Sequence, residues 1–212
     1  MLAALARLLL DAVAPRRCAG CDAVSESPLC PRCDVALRGL PVPAVRRMRH
    51  GSAFAAFEFV DPIRPALHRG KYGGDRRVLR ELASITATRL AGPRLFTPDA
   101  IVAIPLGQRR RRQRGYNQSD ILAEVIAEAR DVPVLEDLKR VRDTPPQSAR
   151  DEVTRRRNVA GAFGWSGNSL PGAYLWLVDD VLTTGATVEA ASSVLIQAGA
   201  ALVDVVVVAA VS

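Results

Sequence analysis

Apolar positions along the chain fall into two kinds of run. In some they recur every three or four residues. Leu2, Leu5, Leu8 and Leu9 predict a short amphipathic helix over residues 1–12, and Ile121, Leu122, Val125 and Ile126 form the inner stripe of a helix over 119–129. Further helices are expected over 62–68, 76–90 and 188–198, the last ended by Gly199. In the other runs the apolar residues are contiguous: 100–104, stopped by Pro105, then 175–178 and the β-branched run 202–210. Residues 53–60 read as a strand or hairpin arm and 132–135 as another strand. Strands that lack polar alternation are buried on both faces, and their succession with helices predicts an α/β fold with a parallel sheet flanked by helices. Such sheets take ligands at the carboxyl ends of their strands, near a switch point. There is no internal repeat.

Size and composition narrow this picture. With 212 residues, 49% of them hydrophobic and 24% charged, the chain has room for one medium domain and a small module, and global disorder is excluded. No apolar run approaches the roughly 18–20 residues of a membrane span. The start lacks a cationic segment, Arg7 interrupts its apolar stretch and Pro15 follows Ala12-Val13-Ala14, so it does not read as a secretion signal and a cytoplasmic location is expected. The net charge is +7, carried by arginine, since Lys71 and Lys139 are the only lysines. A basic surface favours anionic partners, phosphates or nucleic acid. Neither lysine lies in a Gly-Lys-Ser/Thr sequence, which excludes a P-loop nucleotide hydrolase.

All four cysteines, Cys18, Cys21, Cys30 and Cys33, lie in the first 33 residues as two C-x2-C pairs. Two such pairs have the spacing of a tetrahedral four-sulfur zinc site, structural because four thiolates leave no open position. Two disulfides or redox-active pairs are the alternatives, and disulfides require an oxidising compartment. Residues 1–40 then form an N-terminal helix and zinc module, Pro41-Val42-Pro43 a linker, and 44–212 the main domain; a module of about 40 residues needs a metal to hold it.

The segment 175–187, LWLVDDVLTTGAT, carries the chemistry. An apolar strand leads into Asp179 and Asp180, a loop of Thr183, Thr184, Gly185, Ala186 and Thr187 follows, and a helix begins. Backbone N–H groups and hydroxyls at a helix N-terminus cradle an anion. Adjacent carboxylates beside that anion make sense if they accept hydrogen bonds from a vicinal diol, and a ribose 5-phosphate unit carries both features. An N-cap with a solvated neighbour, or a magnesium pair, are the blander readings of the two aspartates.

This segment resembles the 5-phosphoribosyl-1-pyrophosphate (PRPP) motif of type I phosphoribosyltransferases. The wider chain resembles the ComF family, competence-type proteins that join a four-cysteine module to such a domain. The resemblance extends over the cysteines, Lys71-Tyr72, Ile104-Pro105-Leu106, Arg114-Gly115-Tyr116-Asn117-Gln118, Gln147, Arg155 with Asn158, Gly161-Ala162-Phe163 and the PRPP loop. Gly20, inside the first cysteine pair, departs from the many knuckles that carry glycine after it. The resemblance implies that Asp179 and Asp180 bind the ribose hydroxyls, that Thr183, Thr184, Gly185, Ala186 and Thr187 bind the 5′-phosphate, that Leu106 and Gly107 meet pyrophosphate, and that magnesium accompanies PRPP. It also implies roles for Arg114 and Lys71 at the departing pyrophosphate or acceptor side.

The run Arg109, Arg110, Arg111, Arg112 and Arg114 reads as a cationic loop closing over pyrophosphate, as a nucleic-acid contact with Tyr116 as stacking platform, or as plain charged surface. Arg155, Arg156 and Arg157 are a second basic cluster, and Arg46, Arg47 and Arg49 a third; Lys71 reads as part of a Gly-rich turn with Gly70, Gly73 and Gly74. His50 and His68 are isolated and are not expected to be ligands. The expected function is PRPP binding with transfer of a phosphoribosyl group and release of pyrophosphate, making the protein a pentosyl-transferring glycosyltransferase if it turns over. The alternative is a non-catalytic PRPP or nucleotide sensor in competence, binding single-stranded DNA or a DNA-uptake partner. The acceptor base and the oligomeric state are not legible.

Overall fold

The contiguous apolar runs become the centre of a six-stranded sheet. The computed structural model describes residues 15–92, 95–142 and 161–211. Strand β7 (Tyr174–Leu182) and strand β8 (Leu202–Ala210) pair in parallel over most of their length, with Leu175 opposite Val203 and Asp179 opposite Val207. On the β8 side lie β2 (Gly51–Glu58), parallel, and β1 (Arg46–Met48), antiparallel at the edge. On the β7 side lie β3 (Ala100–Ala103) and β4 (Val134–Leu135), both parallel. A separate antiparallel pair joins β5 (Leu138–Arg140) to β6 (Phe163–Trp165).

Two apolar layers cover the sheet. One face packs against α2 (Ile63–Tyr72), α3 (Arg76–Arg89) and α5 (Gln118–Arg130), burying Leu67, Leu79, Leu82, Leu122 and Ile126 against Trp176 and Val178. The other packs against α6 (Ala186–Gln197), with Val188, Ala191 and Leu195 against Leu175 and Leu177. The period-2 alternation along β7 sends neighbours to opposite layers. Strand β3 continues outward to β4 through α4 (Gln108–Arg114) and α5, whereas β7 returns through α6 to β8 on its other side. The order in which strands are added therefore reverses between the parallel strands β3 and β7, a switch point at whose carboxyl ends such sheets bind ligands.

The cysteine module is part of the first layer. Cys18, Ala19, Leu29, Cys33 and Leu37 belong to the same buried cluster as Phe57, Ile63 and Leu67. Helix α1 (Pro31–Gly39) carries Cys33 and Leu37, and Arg89 of α3 donates to its last carbonyls, Leu37 O, Arg38 O and Leu40 O. A guanidinium on the carbonyl end of a helix satisfies acceptors that would otherwise lack partners.

Several boundaries differ from the expected ones. Helix α2 runs to Tyr72, so Lys71 sits in a helix and not in a turn. Gly70 lies within that helix and lets α3 cross it closely: a Cβ there would come 2.6 Å from Leu79 Cδ2. Strand β7 runs on through Asp179 and Asp180 to Leu182, held by β8. The arginine run is a seven-residue helix, α4, ended by Gly115 at φ 75°. Helix α1 and the β5–β6 pair were not anticipated. The helix expected over 1–12, and Gln147, Arg155, Arg156, Arg157 and Asn158, lie outside the described residues. Among the described residues no helix is long and apolar enough to cross a membrane.

Candidate functional site

Asp180 continues the β7 face of Trp176 and Val178, the face covered by α2, and this brings its carboxylate to Lys71: Nζ lies 2.9 Å from Oδ2. The contact is electrostatic, because Oδ2 is buried and accepts no aligned hydrogen bond. Asp179 Oδ1 accepts from Ser119 Oγ and from the Asp180 backbone N–H, each at 2.9 Å. Desolvation pushes the Asp179 carboxyl up to about 7, and the like charge of Asp180 adds to it; the two hydrogen bonds and Lys71 act in the opposite direction. One carboxylate of the pair is thus neutralised by a lysine, and the other is poised between its two forms near neutral pH.

The loop after β7 turns tightly into α6. Gly185 caps that helix at φ 88°, where a side chain would be strained, and Thr184 Oγ1 accepts from Ala186 N at 3.4 Å. Arg46 of β1 donates to Thr183 O at 2.9 Å and to Thr184 O at 3.0 Å. Because a trans peptide sets its N–H opposite its C=O, holding these two carbonyls turns the N–H groups of Thr184 and Gly185 to the other side. Met48 closes the same region, its Cε 3.0 Å from where a Gly185 Cβ would stand, and Arg49 N donates to Glu189 Oε1 of α6 at 3.0 Å. The edge strand therefore braces an N–H-lined helix start, a geometry suited to an anion. Sequence reasoning assigned Arg46 only to a basic stretch; its role needs the β1–β2 hairpin to bring it against the loop.

The segment 114–119 supplies the facing wall, residue by residue. Arg114 lies over the Tyr72 ring at 4.6 Å and donates to Gln118 Oε1 at 2.7 Å. Tyr116 OH donates to Gly70 O, and Arg76 covers its ring at 4.7 Å. Tyr116 is thereby a buried bolt between α5 and α2 and not a free stacking surface. Asn117 accepts from Ser119 N and donates to Ile104 O at 2.9 Å, tying the start of α5 to the end of β3. Asn117 also donates to Asp120 Oδ1; burial raises the Asp120 carboxyl while that bond lowers it. Ser119 was not singled out from the sequence; its only signal is that it directly follows the Arg114-to-Gln118 motif.

Leu106 and Gly107 lie in the loop after β3, whose Ile104 N bonds Val178 O at 2.9 Å, so this loop leaves the sheet beside Asp179. Gly107 is buried and precedes α4. Arg110, Arg111 and Arg112 are exposed on α4. The structure thus sets Lys71 against Asp180 at the end of β7, with Asp179 beside it and the 183–187 loop following; the loop of Leu106 and Gly107 leaves the neighbouring strand, and Arg114 lies over Tyr72. His50 Nε2 and Ser193 Oγ are hydrogen-bonded at 3.0 Å, and His68 packs on Tyr72 with ring centres 4.8 Å apart; neither joins the cysteines.

The four cysteine sulfurs lie within 4.8 Å of one another, close enough to bind one metal ion such as zinc. Cys21 Sγ and Cys30 Sγ are 3.7 Å apart, close to the edge of about 3.8 Å that a tetrahedron of sulfurs at 2.3 Å from zinc requires. One four-sulfur cluster, with all four cysteines unbonded to each other, fits a single ion better than two disulfides. Cys18 Sγ accepts from Gly20 N at 3.4 Å and Cys30 N at 3.2 Å. Desolvation raises the Cys18 thiol, but the N–H groups of Cys30, Cys21 and Gly20 together bring it down to about 6. Desolvation and the neighbouring sulfurs push Cys33 well up, a crowding that a cation would relieve. The position of Gly20 also has a cause: a Cβ there would meet Cys33 Sγ at 2.9 Å and Pro62 Cβ at 3.0 Å.

No family model matches the chain. It is 30% identical over 192 residues to the DNA utilization protein YhgH of Escherichia coli K12, covering 85% of this chain and 83% of that protein. It is 33% identical over 148 residues to Competence protein F of Haemophilus influenzae, covering 66% and 65%, and 26% identical over 147 residues to Competence protein ComFC of Bacillus subtilis, covering 69% and 59%. Among solved structures it is similar to the glutamine PRPP amidotransferase of B. subtilis complexed with ADP and GMP, at 22% identity and TM-score 0.41 over 60% of this chain and 25% of that one. A purine phosphoribosyltransferase of Pyrococcus horikoshii matches at 20% identity and TM-score 0.36, over 59% and 67%.

Proposed function

This chain belongs to the ComF family of competence proteins, and from that premise we propose that it binds PRPP with magnesium and transfers the phosphoribosyl group to an acceptor. The observation that carries the reading is the pairing of Asp179 and Asp180 at the end of β7 with an N–H-lined loop at the start of α6. Asp179 and Asp180 accept the two ribose hydroxyls. Thr183, Thr184, Gly185, Ala186 and Thr187 hold the 5′-phosphate, with Arg46 fixing the loop. Leu106 and Gly107 meet the pyrophosphate. Lys71 and Arg114 carry positive charge toward the leaving group. Magnesium, when bound, supplies charge neutralisation on the pyrophosphate.

In the transfer, the acceptor's lone pair forms a bond to the anomeric carbon while the bond from that carbon to the pyrophosphate oxygen breaks, its electron pair leaving with pyrophosphate. The chain contributes position and charge and no covalent step. The four cysteines hold a structural zinc in the module of residues 1–40, which adjoins the transferase domain of 44–212. The test is titration calorimetry with PRPP and magnesium, followed by product analysis with a panel of bases. Absence of heat from the wild type counts against the site; binding without pyrophosphate release counts against the transfer.

A second reading has its own observation. Arg110, Arg111 and Arg112 stand exposed on α4, and relatives are named for DNA utilization and competence. In this reading the domain senses PRPP without turnover, and α4 contacts the backbone of single-stranded DNA or an acidic uptake partner. Such binding weakens steeply with salt. Salt-insensitive or undetectable association with an oligonucleotide counts against it.

A further inference from the structure

Four consecutive residues close α2, and each reaches a different part of the fold. Arg69 donates to Arg17 O at 3.0 Å, to Cys18 O at 3.1 Å and to Asp22 Oδ1 at 2.7 Å, all in the first cysteine knuckle. Gly70 O accepts from Tyr116 OH. Lys71 pairs with Asp180 at 2.9 Å. Tyr72 lies under the guanidinium of Arg114. At the other end of the helix, Pro62 lies so close to Gly20 that no Cβ fits between the knuckle and α2. The cysteine module therefore grips α2 at its start and at its last turn.

A ten-residue helix is too short to be stable alone, so the position of α2 comes from what it packs against. Two of the three acceptors of Arg69 are backbone carbonyls, those of Arg17 and Cys18, and their orientation depends on the closure of that loop. The loop runs from Cys18 to Cys21, two of the four sulfurs in the metal-binding cluster. Opening the cluster releases Cys18 O and Arg17 O, leaves Arg69 without its two carbonyl acceptors, and frees the turn that carries Lys71. Lysine holds its charge on a flexible four-carbon stem, so its aim depends on where the backbone sets its Cα.

We infer that Arg69 is a positioning residue: it transmits closure of the four-cysteine module to Lys71, so that metal occupancy and ligand affinity at the carboxylate pair are coupled. This rests on the PRPP reading for the identity of the ligand, but not for the coupling itself. By thermodynamic reciprocity, ligand bound at the carboxylate pair also tightens the hold on the metal. The module then acts as part of the ligand site, and a thiol oxidant or a competing chelator lowers affinity for the phosphorylated sugar without touching it.

The experiment compares metal-loaded and stripped protein, the latter prepared with a zinc-selective chelator that is then removed. PRPP with magnesium is titrated into wild type, Arg69→Met and Lys71→Met. Stripping is expected to weaken wild-type binding about tenfold, within the usual range of site-to-site coupling. Loaded Arg69→Met is expected to bind about as weakly as stripped wild type and to respond little to stripping, as is Lys71→Met. Hydrogen exchange of the 70–73 amides is measured on the same proteins without ligand, and is expected to quicken on stripping and in loaded Arg69→Met while the β7 and β8 amides stay slow. Equal affinity in loaded and stripped wild type overturns the coupling, and so does unchanged exchange at 70–73 in loaded Arg69→Met. Loaded wild type that binds no PRPP overturns the ligand reading alone, and the exchange data then decide the coupling.

Discussion

Lys71 Nζ stands 2.9 Å from Asp180 Oδ2, with the lysine side chain 19% exposed and the aspartate 7%. A helix of the first layer and the central strand of the sheet meet in this pair, at the place where two adjacent carboxylates would otherwise repel each other. Replacing Lys71 by methionine keeps the apolar stem and removes the charge. Lysine keeps a fifth of its side-chain surface in water, so the stability cost at neutral pH is expected to be about 2 kcal/mol, below the range for fully buried pairs. Denaturant unfolding of the variant at pH 7 checks this, and wild-type stability would remove the pair from the energetics of the fold.

Asp179 provides a pH signature. Its carboxyl is raised in the folded protein to about 7, against about 3.9 in an unfolded chain. The relative stabilisation is therefore complete below about pH 4 and is lost as pH rises through about 7. Asp179→Asn should melt higher than wild type at pH 8, and the difference should vanish near pH 4. Ligand binding should run the other way. If the ionised form accepts the sugar hydroxyls, wild-type affinity for PRPP should rise between pH 6 and pH 8 by more than that of Asp179→Asn, the variant correcting for titration of the ligand's own phosphates. Parallel profiles would remove Asp179 from the diol site.

Arg46 should act on the phosphate end alone. A charge-assisted hydrogen bond is worth about 1.5–3 kcal/mol, and loss of the clamp on Thr183 O and Thr184 O frees the loop N–H groups to turn. Arg46→Met is expected to lower affinity for ribose 5-phosphate about tenfold and to leave binding of an unphosphorylated ribose analogue unchanged. Retained binding of the unphosphorylated analogue separates this from general damage.

The cysteine cluster predicts about one zinc per chain in protein purified reduced, measured by metal analysis. Stripping the ion should lower the melting temperature by more than about 10 °C, because the metal's binding energy enters the folding energy of a core that the module shares. Gly20→Ala should weaken metal binding with all four ligands intact, since the added methyl meets Cys33 Sγ and Pro62. A competition assay with a colorimetric chelator reads this directly, and wild-type affinity in the variant would mean that the knuckle can open to admit it.

The basic charge divides differently in space than along the chain. Arg46, Arg69 and Arg89 are committed to backbone carbonyls. Arg130 lies over Trp176 and Arg114 over Tyr72. These guanidiniums act as donors and ring partners within the fold, while Arg110, Arg111 and Arg112 of α4 remain exposed. A sum of +7 cannot distinguish the two uses, because charge counting carries no information on which side chains meet carbonyls.

What was legible in the sequence is what lies close together in the chain. The segment from Leu175 to Thr187 is one strand, one turn and the start of one helix, so its residue types already place two carboxylates ahead of a loop at a helix start. The cysteine spacing describes a four-sulfur cluster for the same reason, and the β-branched run 202–210 coincides with β8. What only the tertiary structure decided is who stands opposite. Lys71 reaches Asp180 across more than a hundred positions, Ser119 reaches Asp179 across 60, and Arg46 reaches Thr183 across 137. These contacts depend on sheet order, on the antiparallel β1 edge, and on the short knuckle pressed against α2. Hydrophobic periodicity reports which face of an element is buried but not which element buries it. A lysine in what read as a glycine-rich turn becomes the partner of a buried carboxylate only once Gly70 lets α3 cross α2 closely and Tyr116 bolts that turn in place.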